Sequence, residues 1–440
     1  MSSALAMVSL LIGSLVIVAL INASGSRAFK FPFLFSAVWV AFVLLGFVGF
    51  IQSSGDLFQN YNRSGVIDIA LFMMATSISG GLLGYALAGG GRARPRNASV
   101  PMTVRRQVIR RMNFASFVVA AMSYSAFFLL AGLGGGLRQY IFYSGAYTVS
   151  WEGLPVYLVF IVRFIYVAIV IQLWIWSRTK KPLHLKLAIA FSLIPLINII
   201  FIFRRAELLT LAIYFGYFVA NYTKVHIRRP HVIAAVMLMV LVMQIFPILR
   251  SEAGKRLSYR ELFEQALAPR ATYDTSEIGS GLFRIYQSMS QNSFEYGGIF
   301  WNALVKQFLP SRLFGGEFKR SLMLGRTEYI DTTFASFKYY VSPMGFAQAY
   351  QQFWLFGGLI FLVIGFIVAR LEQKRFVGPR QEIFLVLMIP FLLSTVSADL
   401  SLIVSRSVTY AILMLICIPR VPAAQMVPFS QVYVQQGRPS

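Results

Sequence analysis

The sequence predicts an all-α polytopic membrane protein with about 11 transmembrane helices, its N-terminus outside and its C-terminus in the cytoplasm. Three observations carry that reading. The 440 residues are 57% hydrophobic and only 13% charged, with a mean hydropathy of +0.67, a composition typical of membrane chains. Apolar runs near the ~20 residues that span a bilayer recur along most of the length. Lys and Arg gather in every second connection, as the positive-inside rule requires.

Taken in order, the runs of suitable length are 4–23, 33–51, 66–90, 113–133, 151–177, 187–203, 208–222, 232–249 and 345–369. The first carries no preceding positive charge and no small-residue cleavage site, so it reads as a retained span rather than a signal peptide. The stretch 383–419 is too long for one helix. Its polar centre, Asp399 to Arg406, predicts a turn between spans at 383–398 and 403–419, with these two residues capping and anchoring it.

Alternate connections hold Arg27 and Lys30; Arg92, Arg94, Arg96, Arg105, Arg106, Arg110 and Arg111; Arg178, Lys180, Lys181 and Lys186; Lys224, Arg228 and Arg229; and Arg370, Lys374, Arg375 and Arg380. With Arg420 and Arg438 of the tail they make 22 of the 40 basic residues, against two acids, Glu372 and Glu382. Placing this set in the cytoplasm fixes both termini, and an odd number of spans satisfies them. The same placement accounts for much of the net charge of +24, because basic residues also sit against anionic headgroups. No basic run is interleaved with stacking aromatics, so nucleic acid is not an expected partner.

The outside set is then 52–65, 134–150, the Arg204–Glu207 turn, residues 250–344 and the turn near Asp399. The whole of 1–440 reads as a single transmembrane domain without internal repeats. The large loop 250–344 is inserted between spans 8 and 9, and the tail 421–440 is expected to be a disordered cytoplasmic segment. Within the loop, Leu257–Leu267 and Ile299–Leu309 place apolar residues at helical spacing but are too short to span. They are expected to lie in the membrane interface, the second ending at Pro310, and the loop is expected to form a lid or groove wall over the bundle.

The residue inventory narrows the chemistry. All three histidines, His184, His226 and His231, fall in cytoplasmic connections, and the one cysteine, Cys417, sits in an apolar run. No His, Cys or paired-carboxylate ligand set is evident outside, so neither a metal site nor a cofactor is expected there. Ser-His-Asp and Cys-His arrangements are likewise missing from that face. The loop does contain twelve basic residues, among them Arg250, Arg270, Arg284 and Arg312, nine acids, and aromatics through to Tyr340, with Tyr350 just beyond. Arginine donates bidentately to phosphate, and aromatic faces suit sugar rings. The plainer reading of the same loop is an aromatic belt and headgroup-bound arginines. Arg204 and Arg205 sit between two apolar runs with almost no loop, as a headgroup anchor or a phosphate site. Arg163, near the middle of its span, is expected to pair with a carboxylate such as Asp68 or Asp399.

Three stretches carry a family resemblance: FRRAELLTLAIYF (203–215), KQFLPSRLFGGEFK (306–319) and SPMGFAQAYQQFWLFGGLIFLVIG (342–365). With the architecture, they resemble bacterial O-antigen and oligosaccharide repeat-unit polymerases of the Wzy type. Where that family often has an acid before the tyrosine of the last stretch, this chain has Gln348 and Ala349 before Tyr350. The resemblance implies a glycosyltransferase at the periplasmic face of the bacterial inner membrane. It would transfer a growing glycan from undecaprenyl diphosphate onto an incoming lipid-linked oligosaccharide unit, without metal or nucleotide sugar, beside a chain-length regulator protein and membrane lipids. Arg204, Arg205, Arg250, Arg270, Arg284, Arg312, Tyr340 and Tyr350 would bind diphosphate and glycan. The base would be one of Glu328, Asp331, Asp274 and Glu277, since an acceptor hydroxyl must lose its proton. An O-antigen ligase is the nearest alternative but generally has a histidine in this loop. A metal-using lipid-dependent transferase would show more than Asp56 in its first outer loop, and a transporter or flippase usually shows repeat symmetry.

Overall fold

Within a bilayer the backbone has no water to bond, so an apolar run must satisfy its own N–H and C=O groups as a helix. The described apolar runs of this chain do so. The computed structural model describes residues 2–22, 30–53, 61, 64–90, 102–103, 106–133, 135–137, 154–202, 205–223, 277–309, 314–324, 344–374, 378–397, 399–419 and 427–428, with isolated positions between 230 and 261. Among the described residues, five helices are long and apolar enough to cross a membrane: Phe31–Ile51, Val66–Leu87, Arg106–Leu133, Tyr157–Thr179 and Gly345–Lys374. A sixth is added if Pro182–Phe191 and Leu193–Phe201, bent by 46°, are one broken span. The chain is a helical, multi-pass membrane protein. Ser2–Asn22, Arg205–Tyr222, Pro379–Ser394 and Ser401–Cys417 are also helices, while the expected span at 232–249 lies largely outside the described residues.

The chain divides into two compact units, each discontinuous in sequence: 1–89 with 226–369 and 391–407, and 90–225 with 370–390 and 408–440. In the first, the helix from Phe31 passes through a π-helical segment, Trp39–Leu44, before continuing to Ser53. Phe35 and Trp39 pack on Phe361, with ring centroids 6.4 and 6.0 Å away. The Val66–Leu87 helix meets the Leu359–Lys374 helix through small residues. A Cβ at Gly84 would stand 2.0 Å from the Leu362 carbonyl oxygen, and one at Gly365 would stand 2.0 Å from that of Gly81. Such close approach is how membrane helices gain packing energy without a hydrophobic driving force between them.

In the second unit, Arg106–Leu133 packs against Leu154–Val162 and Ile165–Thr179, around Phe127, Leu130, Leu158, Val162 and Ile194. Polar ties cross this apolar bundle. Gln172 Nε2 donates to Asn113 Oδ1 (2.8 Å) and Ser116 Oγ (2.6 Å), and its Oε1 meets His184 Nδ1 at 2.9 Å. Glu382, fully buried, accepts from Arg178 Nη2 (2.7 Å), from Trp174 Nε1 (2.9 Å) and from the Tyr222 hydroxyl. The Arg178 guanidinium also stacks over the Trp174 and Tyr222 rings, 5.4 and 4.8 Å from their centroids. Two of the expected cytoplasmic charges, Arg178 and Glu382, are thus each other's partner. Arg380 secures the far end of the terminal helix, its Nε donating to the Ile418 carbonyl at 2.6 Å.

Arg163 occupies a break in its span, between Leu154–Val162 and Ile165–Thr179. It makes no ion pair with a described carboxylate, and Arg178–Glu382 is the ion pair found among the described residues. Of the tail expected to be disordered, Val427–Pro428 pairs antiparallel with Met102–Thr103.

Candidate functional site

The first unit concentrates buried polar side chains around one short helix, Gly345–Phe353. Gln348, Gln351 and Gln352 lie on it at spacings of three and four, which puts them on one face. Each is at most 2% exposed. An amide buried in hydrocarbon is costly unless its bonds are made, and each of these finds specific partners.

Gln348 faces the turn before the Ser401–Cys417 helix. Its Nε2 donates to Asp399 Oδ1 (3.2 Å), and its Oε1 accepts from the Leu400 N–H (2.7 Å). Asp399 also accepts from the Ser401 N–H at 2.8 Å, capping that helix as the sequence predicts. Gln351 and Gln352 face the large loop. Gln351 Nε2 donates to Glu295 Oε1 (3.0 Å), and Gln352 Nε2 donates to Glu295 Oε2 (2.8 Å). Gln351 Oε1 accepts from Arg284 Nη1. Gln352 Oε1 accepts from the N–H groups of Gly297 (3.1 Å) and Ile299 (3.3 Å), at the start of the Gly298–Phe308 helix. One helix therefore holds the terminal turn with one glutamine and the loop with two.

Its position is over-determined. Met344 before it and Trp354 after it both have positive φ (53° and 52°), a conformation costing a non-glycine residue about 1–3 kcal/mol. At Gly345 no side chain fits, because a Cβ would lie 1.6 Å from the Thr395 carbonyl oxygen. Tyr350 is buried and packs edge-on against Phe294, with centroids 5.7 Å apart.

The loop contributes three described helices, Glu277–Ser290, Gly298–Phe308 and Gly316–Ser321. The second is the short amphipathic helix expected at Ile299–Leu309. The first was not expected. It buries Ile278, Leu282 and Ile285, and Arg284 as well, and it packs against Leu45–Ser53, Val66–Leu87 and Gly345–Phe353. Its exposed Tyr286 lies 6.1 Å from Tyr61. Burial, with a smaller contribution from Tyr286, raises the Tyr61 phenol to about 12, so it stays neutral at any physiological pH. At the other end of the loop, burial and then the nearby Lys306 lower the Lys319 ammonium below its usual range, and its Nζ donates to the Lys306 carbonyl at 3.0 Å.

Of the residues proposed from sequence, Arg284, Glu277 and Tyr350 are described. Arg284 belongs to the glutamine cluster, Glu277 opens its helix half-buried, and Tyr350 is in the core beside it. Arg205 begins the Arg205–Tyr222 helix, its side chain outside the described residues. Arg204, Arg250, Arg270, Arg312, Asp274, Glu328, Asp331 and Tyr340 lie outside the described residues, as does most of the expected helix 257–267. Sequence reasoning did not single out Glu295, Gln351 or Gln352, and it marked Gln348 only as a departure from the family pattern. The available signal was the spacing of the three glutamines. Among the described residues no group of three or more His, Cys, Asp or Glu side chains could hold a metal ion.

No family model, no curated protein and no solved structure matches the chain.

Proposed function

We propose that this protein polymerises undecaprenyl-diphosphate-linked oligosaccharide units at the periplasmic face of a bacterial inner membrane, with eleven spans and the large loop outside. The observation that carries the reading is the clustering of buried polar side chains where the large loop meets the Gly345–Phe353 helix, the stretch whose sequence resembles the polymerase family's return into the membrane. A lipid-linked glycan needs a membrane-borne site with cations for its diphosphate and polar groups for its sugars, and Arg284 among the buried glutamines is consistent with such a site.

In the proposed reaction the bond between the sugar's anomeric carbon and the diphosphate oxygen breaks, and undecaprenyl diphosphate leaves with the electron pair. A hydroxyl of the incoming unit forms the new bond to that carbon. Its proton passes to a loop carboxylate, one of Glu328, Asp331, Asp274 and Glu277. Arginines of the loop hold the negative charge that grows on the leaving group, as fixed donors do best in a water-poor site. Glu295 has a different task. Both its oxygens accept from glutamine amides, which suits it to hold the loop in place. Neither a metal nor a cofactor enters the proposal, and a chain-length regulator is its expected protein partner.

The test is release of undecaprenyl diphosphate by the purified protein in liposomes. It should appear in step with consumption of the lipid-linked unit. Consumption without its release would point to transport or to a different transfer.

A further inference from the structure

The Ser401–Cys417 helix carries a buried cation that the cluster described above does not use. Arg406 is 6% exposed. Its guanidinium lies over the Phe391 ring, 5.8 Å from the centroid, and its Nε has no hydrogen-bond partner. It forms no ion pair with a described carboxylate. Nearby Asp399 is engaged by Gln348 and the Ser401 N–H. Ser401 and Ser405, one turn apart, are buried on the same helix.

A guanidinium has five N–H donors and stays charged under all conditions. Burying it with its Nε unsatisfied among the described residues is expensive, and such residues in membrane helices usually mark a ligand path. Five residues beyond Ser401, it stands about 7.5 Å along the helix from the Asp399 turn. It is therefore near the end of the unit where Gln348 ties that turn down, not at the opposite end. Arg380 illustrates the contrast, since it is satisfied by backbone carbonyls of the same helix's C-terminus.

We infer that Arg406 is an anion-binding residue whose ligand is the phosphate group of a membrane-embedded lipid. Resting on the function proposed above, that lipid is undecaprenyl diphosphate, and Arg406 takes its diphosphate from the membrane side while loop residues meet the glycan. The sequence alone offered only an anchor for the terminal turn.

The experiment measures binding of undecaprenyl diphosphate, undecaprenol and phosphatidylglycerol to the purified full-length protein in detergent, together with its melting temperature without ligand. The variants are R406M and R406K. Replacing an uncompensated buried charge by an apolar side chain of similar length relieves desolvation. R406M should thus melt at or above the wild-type temperature yet bind undecaprenyl diphosphate at least tenfold more weakly, and R406K should fall between. Undecaprenol should bind weakly to all three proteins. If phosphatidylglycerol binds as well as undecaprenyl diphosphate, with the same dependence on Arg406, the phosphate site stands and its source is bulk lipid. Wild-type affinity in R406M, or equal affinity for undecaprenol, overturns the inference. If R406M does not fold, R406K decides. Folded with weakened binding supports the site; folded with unchanged binding, or unfolded as well, makes Arg406 structural. A wild-type protein that binds undecaprenyl diphosphate through Arg406 but makes no polymer would sink the proposed function and leave this inference standing.

Discussion

Gln352 and Glu295 are joined by a 2.8 Å hydrogen bond from the glutamine Nε2 to Oε2 of the carboxylate. The other end of the same amide accepts from the N–H groups of Gly297 and Ile299. One buried side chain thus fixes a loop carboxylate and caps the loop helix that begins three residues later. The Gly298–Phe308 helix has glycine at its N-cap and no side-chain cap of its own. The cap comes from 55 residues away in sequence, and this makes the loop's placement depend on the membrane helix.

The first prediction follows from that dependence. Glu295→Ala leaves two buried amides without an acceptor, each worth about 1–3 kcal/mol. It should lower the melting temperature in detergent clearly, and Gln352→Leu should do so as well. Because the two residues touch, the double variant should lose less than the sum of the singles. Additive losses would show that the bond contributes nothing measurable.

A second prediction concerns helix packing. Gly84→Ala places a methyl 2.0 Å from the Leu362 carbonyl oxygen, so the helices must separate, at a cost of about 1–3 kcal/mol or more. Gly13→Ala meets nothing within 4 Å and should leave the melting temperature unchanged. Equal behaviour of the two variants would contradict the close packing of Val66–Leu87 on Leu359–Lys374.

The third addresses the buried pair of the second unit. Glu382→Gln removes the charge facing Arg178, and breaking a buried pair from one side costs about 3–5 kcal/mol. Trp174→Phe removes one donor to the same carboxylate and should cost about 1 kcal/mol. Thermal unfolding should rank the two in that order. A Glu382→Gln protein as stable as wild type would mean the pair is solvated.

A fourth tests the proposed orientation. In a Cys417→Ser background, single cysteines at Ser290 and Ser321, both exposed, should react with a membrane-impermeant thiol reagent from outside. A cysteine at Ser99 should not. The reverse pattern would invert the topology.

The apolar runs were legible because hydrophobicity sets where a membrane helix can be, and helices occupy nearly every described run. The break at Arg163 was not, since a polar residue in a span reads equally as a buried pair or a point of bending. The Glu277–Ser290 helix was hidden by Gly279, Ser280 and Gly281, which dilute helix propensity, and by the charge of Arg284, which is buried. Its period of Ile278, Leu282 and Ile285 was nonetheless present. In the sequence Gln348 reads only as a departure from a family pattern, and Gln351 and Gln352 carry no signal beyond their spacing. A glutamine is mostly a surface residue, and nothing in one sequence says that it faces a carboxylate from a distant loop. For the same reason Arg406 read as an anchor. That its Nε lacks a hydrogen-bond partner among the described residues is a property of packing alone.

The central claim is polymerisation, and the most direct measurement is chain growth by the purified protein in liposomes. These should be supplied with undecaprenyl-diphosphate-linked oligosaccharide and excess chelator, with products resolved by gel electrophoresis. The proposal predicts a ladder spaced by one repeat unit, formed without added metal or nucleotide sugar. Single units that persist unextended in a well-folded preparation, or growth that stops in chelator and returns with magnesium or manganese, would contradict it.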